Sequence, residues 1–227
     1  MNILAIDTAT EACSVALLKD NKVQAKFELC PQQHSQRLLP MVDEILAQAA
    51  IKLDKLDALA FGRGPGSFTG VRIATGMVQG LAFGATLPVV GVSTLAAMAQ
   101  QCFTQTDATT CACAIDARMS EVYFAVYQQR EEGLVELIKE QVCSPATAAA
   151  HLEGLTYTAV GTGWNAYPEL QQKRVTGIAV DILYPAAEFM LPLAIKAISN
   201  QEAVTAEKVS PVYLRDKVTW KKLPGRE

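Results

Sequence analysis

The chain has 227 residues, a formal net charge of −3 and a pI near 5.5, with 50% hydrophobic and 19% charged residues. This composition builds a buried core and excludes a disordered chain; its acidic balance disfavours direct binding of nucleic acid or of an anionic membrane. The six cysteines at 13, 30, 102, 111, 113 and 143 follow no disulfide framework, "MNILAID" has no basic leader, and no apolar run reaches the roughly 20 residues of a membrane span, so a soluble cytoplasmic protein with reduced thiols is expected.

In chain order, "NILAID" reads as a buried strand, and "CSVALLKD" and "KVQAKFELC" as two more, divided by a turn at Asp20-Asn21. A helix follows, with Ser35 as its expected N-cap, Leu38, Val42, Ile45 and Ala49 on one face, and Pro40 early in it. "LDALAFGRG" is a strand ending in a glycine loop; a glycine-containing helix, the strand "LPVVGVS" and the helical "TLAAMAQQC" come next. "QTDATT" is a polar boundary near residue 106. Beyond it the pattern restarts with the strands "TCACAID", "SEVYFAVYQ" and "LVELIKEQVC", the helix "SPATAAAHLE", the strand "TYTAVGTG" and the helical "PAAEFMLPLAIKAISN". Cys111 and Cys113 read as alternate positions of a buried strand, not as half of a metal site.

The restart carries an echo. Ala5-Ile6-Asp7 recurs 109 residues later as Ala114-Ile115-Asp116, and at that offset Cys13, Val15, Ala16 and Leu17 meet Val122, Phe124, Ala125 and Val126. With the same element order in both halves, this predicts a duplicated α/β protein of two lobes, each a mixed five-stranded sheet with helices on its faces. The expected organisation is a first lobe at 1–106, a smaller second lobe at 107–204, and a tail at 205–227 whose lobe the sequence does not assign. Lys217, Lys221, Lys222 and Arg226 make that tail basic.

This layout resembles the actin-like ATPase and sugar-kinase (ribonuclease H-like, ASKHA) superfamily. The resemblance implies nucleotide contacts at Asp7, Thr8 and Thr10 in a first phosphate loop, at Asp116 in a second, and at Gly161 and Gly163 in "VGTGW" near an adenosine. The residues themselves leave another reading open: an aspartate that closes a buried strand also serves as a turn former or cap partner. "DTATEACS" contains no glycine, which makes close backbone approach to a phosphate harder.

Arg63 to Gly70, "RGPGSFTG", poses the same choice. It has the look of a phosphate cradle whose free N–H groups could take an anion, yet no Gly-Lys-Ser/Thr follows, and a tight strand-to-helix turn capped by Ser67 or Thr69 is the favoured reading. The helix behind it is more specific. Gly76, Gly80 and Gly84 line one face, and each costs about 1 kcal/mol relative to alanine. Val71, Ala74, Met77, Val78 and Leu81 form an arc suited to the sheet, with Ile73 and Phe83 beside the glycines, so the helix needs cover on more than one side. The first helix supplies that cover, or the two helices together present a surface to another molecule.

"MNILAIDTAT", "HSQRLLP", "FGRGPGSFTGVRIATG", "GVSTLAAMA", "IDARMSEVYFAVY" and "PVYLRDKV" together resemble the TsaB (YeaZ) family over nearly the whole chain. The resemblance implies a non-catalytic subunit that pairs with the paralogous catalytic subunit TsaD, is joined by the ATPase TsaE, and takes part in forming N6-threonylcarbamoyladenosine beside the tRNA anticodon. It implies a partner face made by Leu38, Leu39, Met41, Val42 and Leu46 of the first helix with Ile73, Gly76, Met77, Gly80, Phe83 and Gly84 of the second. It also implies self-association through that face when the chain is alone, and only indirect contact with tRNA. No tightly bound cofactor is expected; ATP or ADP is expected only at the level of the complex. TsaD-like enzymes hold a metal with His-x-x-x-His, whereas here the window is His34 to Leu38 and the second ligand is leucine. The other histidine, His151, lies in the second half, so neither a catalytic nor a metal residue is assigned. The rival reading is a small-molecule kinase or ATPase acting between Asp7 and Asp116.

Overall fold

A computed structural model describes residues 1–173 and 181–215. Strand β1 (Ile3–Asp7) pairs antiparallel with β2 (Ala12–Lys19), and β2 with β3 (Lys22–Leu29) across a turn in which Asp20 and Asn21 both take positive φ. Helix α1 (His34–Gln48) leads to β4 (Ala58–Gly64), helix α2 (Phe68–Ala85) and β5 (Val89–Ser93); β4 and β5 join in parallel, giving the order β3-β2-β1-β4-β5. After helix α3 (Thr94–Gln105), strands β6 (Thr110–Asp116), β7 (Val122–Arg130), β8 (Gly133–Cys143) and β9 (Thr158–Val160) form a second sheet ordered β8-β7-β6-β9, with α4 (Pro145–His151), α5 (Gly163–Ala166) and α6 (Pro168–Gln171). The expected two-lobe, actin-like α/β layout is thus present.

The second sheet has four strands among the described residues, not five. β9 is only three residues long and stops at Gly161, where φ is +106°. A parallel edge that short offers little ladder to a further strand. The 3-10 turn Ala187–Met190 and helix α7 (Leu191–Ser199) follow where one long helix was expected. Helix α1 begins at His34, with Gln33 at its N-cap making no side-chain bond, so Ser35 is not the cap. Pro40 therefore lies inside the helix.

The duplication is real in element order but its register is corrected by the faces. Leu4 and Ile6 pack with Cys13, Val15 and Leu17 beneath α1 and α2, whereas Ala112 and Ala114 pack with Val122, Phe124 and Val126 beneath α4 and α5. Helix for helix, Ile6 corresponds to Ala114, as their partners Val15 and Phe124 also require. The offset of 109 holds for the second strand of each half, but on the first strand Ala-Ile-Asp is out of step by one. One residue of slip exchanges the faces of a strand, so Asp7 and Asp116 are not equivalent.

Two helices cross the expected lobe boundary. Leu95, Met98, Ala99 and Cys102 of α3 pack on Cys111, Cys113, Ala125 and Tyr127 of the second sheet, while Ala97 joins the first-sheet cluster. Met190, with Leu191 and Ala194 of α7, covers Ile3, Ala5, Ala16, Ala60 and Val90 of the first. An apolar stripe says that a helix is buried, not which sheet buries it. The C-terminal segment fastens to the first lobe: Ala206 and Val209 enter its core, Gln79 Nε2 donates to the carbonyls of both, and Val212 N–H donates to Arg63 O. Arg215 reaches across to Glu121 of the second lobe. The basic positions 217, 221, 222 and 226 lie outside the described residues.

Candidate functional site

Helix α2 is built to be covered on two sides and left bare on a third. Ser67 caps it, its Oγ accepting from Gly70 N–H at 3.3 Å, and Thr86 in left-handed conformation ends it. Ala74, Val78 and Ala82 pack into the core on the sheet, and Val71 is buried beside Gly64 of β4. The polar flank of Arg72 and Gln79, separate from that apolar arc, holds the C-terminal segment through Tyr213, Ala206 and Val209. The remaining arc contains Gly76, Gly80 and Gly84. All three are exposed, and a Cβ at any of them would meet nothing within 4 Å among the described residues. Phe83 stands beside them 74% exposed, and Leu39 of α1 is 41% exposed.

The expected face is therefore narrower than its sequence outline. Leu38, Met41 and Val42, all expected on the partner face, are buried in the first core and offer no surface: Met41 lies one turn from Leu38 on the same buried side. Leu46, Ile73 and Met77 are half-buried against that core, Ile73 and Met77 lying within one helical turn of Gly76. Sequence reasoning missed its N-terminal end. Phe68 stacks on Tyr213 at 5.6 Å between ring centroids, and the Arg72 guanidinium lies 3.3 Å from the Phe68 centroid while its Nε donates to the Tyr213 hydroxyl. Phe68 and Arg72 continue the four-residue spacing of the glycines and were legible; Tyr213, 141 residues from Arg72, was not.

The glycine loop resolves as a tight turn. Ser67 N–H donates to Ala9 O at 2.7 Å, and Gly70 N–H is taken by the Ser67 cap, so two of the amides a phosphate would use already have partners. A Cβ at Gly66 would stand 2.2 Å from Ala9 O, and one at Gly70 would stand 2.0 Å from Thr8 O. These glycines let the β1–β2 loop lie against the helix start.

The residues singled out for nucleotide contact are spent on internal contacts. Asp7 and Thr8 have no exposed surface and Thr10 is buried; Thr8 Oγ1 donates to Gly70 O at 2.7 Å. Asp7 accepts from Ala9 N–H through Oδ1, while its Oδ2 has no hydrogen-bond partner among the described residues. Burial pushes its pKa up to about 7, and the Ala9 bond opposes that rise only in part. Asp116 accepts from Arg118 N–H, Arg118 Nη1 and the Tyr167 hydroxyl, and Arg118 also reaches Glu11 of the first lobe at 3.3 Å. Gly161 and Gly163 are buried against Ala114 O, where a Cβ would stand at 2.2 and 3.0 Å. As for a metal, His34 is buried at the start of α1 with Leu38 in the core beneath it, His151 stacks on Phe124 in the other lobe, and no cluster of three ligand-type side chains occurs among the described residues.

Comparison with known proteins adds an independent line. The family described as TsaD, tRNA N6-adenosine threonylcarbamoyltransferase, matches residues 21–223. The tRNA threonylcarbamoyladenosine biosynthesis protein TsaB of Escherichia coli is 51% identical, over 100% of both chains. Its counterpart in Haemophilus influenzae is 49% identical, over 100% of this chain and 99% of that one. The solved structure of YeaZ from Pseudomonas aeruginosa superposes with a TM-score of 0.85 at 45% identity, covering 94% of this chain and 99% of that chain.

Proposed function

This chain belongs to the TsaB family of tRNA threonylcarbamoyladenosine biosynthesis proteins, and from that premise we propose that it is the non-catalytic scaffold subunit of the complex that transfers the threonylcarbamoyl group to tRNA. It acts by docking the glycine arc of α2, with Phe83, Leu39 and the rim residues Leu46, Ile73 and Met77, onto a TsaD-like catalytic subunit. A TsaE-like ATPase joins the pair, tRNA touches this chain only indirectly, and nucleotide is used at the level of the complex. The same face serves self-association when the catalytic subunit is absent.

One observation carries the reading. Three glycines spaced by four, each costing about 1 kcal/mol in a helix interior, lie exposed, with no neighbour among the described residues to justify them. Small residues at that spacing let a second backbone come close, a geometry that is not confined to membranes. The rival kinase or ATPase reading calls on Asp7, whose carboxyl is enclosed. The deciding experiment is co-elution of this chain with its TsaD-like partner. Gly80→Leu is expected to abolish it without unfolding the chain, and unchanged co-elution removes α2 from the interface. Full tRNA modification by the purified components without this chain contradicts the scaffold role.

A further inference from the structure

Of the sheet edges among the described residues, one is bridged, one is very short and one is irregular. β5 is bridged by Val204, which exchanges both backbone bonds with Val89 at 2.9 and 2.8 Å. β9 is three residues long and its end is tied by Gly161 N–H to Ile182 O. The β7–β8 ladder carries register irregularities between Phe124 and Tyr127, of the kind that twists an edge away from a flat partner. β3 is different. Its eight residues pair with β2 one for one, from Ala12–Leu29 to Lys19–Lys22, without a shift, and no strand lies beyond it. On one face it exposes Val23, Phe27 and Leu29 by 50, 49 and 56%, although Leu18, Ser14 and Ala12 opposite them are buried. A long, regular, apolar edge invites another strand, and soluble chains usually blunt it.

The strand specifies its own complement. Read antiparallel against itself about Ala25, "KVQAKFEL" sets Lys22 opposite Glu28, Val23 opposite Phe27 and Ala25 opposite Ala25, each unlike pair occurring twice by symmetry. Centring on Phe27 instead leaves fewer paired residues, with Lys26 opposite Glu28 and Ala25 opposite Leu29, and so shortens the ladder. We propose that β3 is a self-association edge: two copies of the chain pair β3 to β3, antiparallel about Ala25, joining their five-stranded sheets into one. The apolar side of this contact shares the face of Ala16 and Leu18, opposite the face covered by α1 and α2. It therefore neither uses nor blocks the glycine arc, and it does not rest on the scaffold reading.

The test is sedimentation of the full chain carrying Gly80→Leu, which silences the helical face at a position with open space around it. A dimer is expected. Adding Phe27→Lys should weaken self-association by roughly tenfold or more, since it replaces two apolar cross-strand pairs. Ala25→Cys under a copper-phenanthroline oxidant should give a covalent dimer, and Phe27→Cys should not, because residues 27 stand apart in this register. Circular dichroism of each variant checks the fold. A monomeric Gly80→Leu chain, or a dimer indifferent to Phe27→Lys, overturns the proposal. Cross-linking at 27 and not at 25 overturns its register. Loss of co-elution with the catalytic subunit on Gly80→Leu bears on the scaffold reading alone.

Discussion

Asp7 Oδ2 occupies the space that a side chain at Gly62 would need: a Cβ there would stand 1.7 Å from it. The carboxyl at the end of β1 lies over β4, and β4 carries glycine at that point to admit it. Gly62→Ala is expected to destabilise the chain by about 2–3 kcal/mol through overpacking. In an Asp7→Ala background the same change should cost much less, because the nearest remaining atom, Asp7 Cβ, is at an ordinary 3.5 Å. Denaturant unfolding of the four chains in a double-mutant cycle measures the coupling; additive costs would refute the contact.

The same carboxyl gives a pH signature. Its pKa is raised from 3.8 to about 7 by burial, so between those values the folded chain binds the proton that the unfolded chain has released. Stability is therefore expected to fall as pH rises from about 4 to 7 and then to level off, by at most about 4 kcal/mol from this group. Asp7→Asn should remove this dependence, matching the parent chain near pH 4 and exceeding it at pH 8. Urea unfolding of both across that range provides the measurement, and parallel curves would count against a buried, uncompensated carboxyl.

The glycine arc predicts a trade between stability and binding. Gly76, Gly80 and Gly84 have room for a methyl group, so replacing all three with alanine should stabilise the isolated chain by up to about 3 kcal/mol. The same variant should bind the TsaD-like subunit more weakly, because three methyls hold the second backbone away. Thermal unfolding and titration calorimetry read the two effects separately. A destabilised chain would show that the arc has a structural role within the monomer.

Gly161 separates a nucleotide role from a structural one. At φ +106° and with a Cβ position 2.2 Å from Ala114 O, Gly161→Ala is expected to cost several kcal/mol of stability. Nucleotide, if it bound there, would act on affinity and not on the fold. A stable Gly161→Ala chain would reopen the cleft reading.

Much of the architecture was legible because it depends on local pattern. The apolar run of β1, the Asp20-Asn21 turn and the capped start of α2 are all written in short stretches. The bare glycine spacing was legible too, since a helix converts every fourth residue into a line. The echo of Ala-Ile-Asp misled for the same reason: three matching letters carry no information about the side of a strand on which they fall, and the structure sets Asp7 and Asp116 on non-equivalent faces.

By itself, then, the sequence determined most of the strand and helix segments, the repeated element order of the halves, and a line of glycines along α2 that is costly to a helix, because propensity and periodicity act between near neighbours. Only the tertiary structure decided that Leu38, Met41 and Val42 belong to the core and not to the partner face, that α3 and α7 each pack across the expected lobe boundary, and that Asp7 is sealed beneath Gly62. It also decided that, among the described residues, the β5 edge is bridged by Val204 while the regular β3 edge is not. Each of these depends on which distant surface arrives to cover a residue, and burial is settled by that arrival and not by the residue alone.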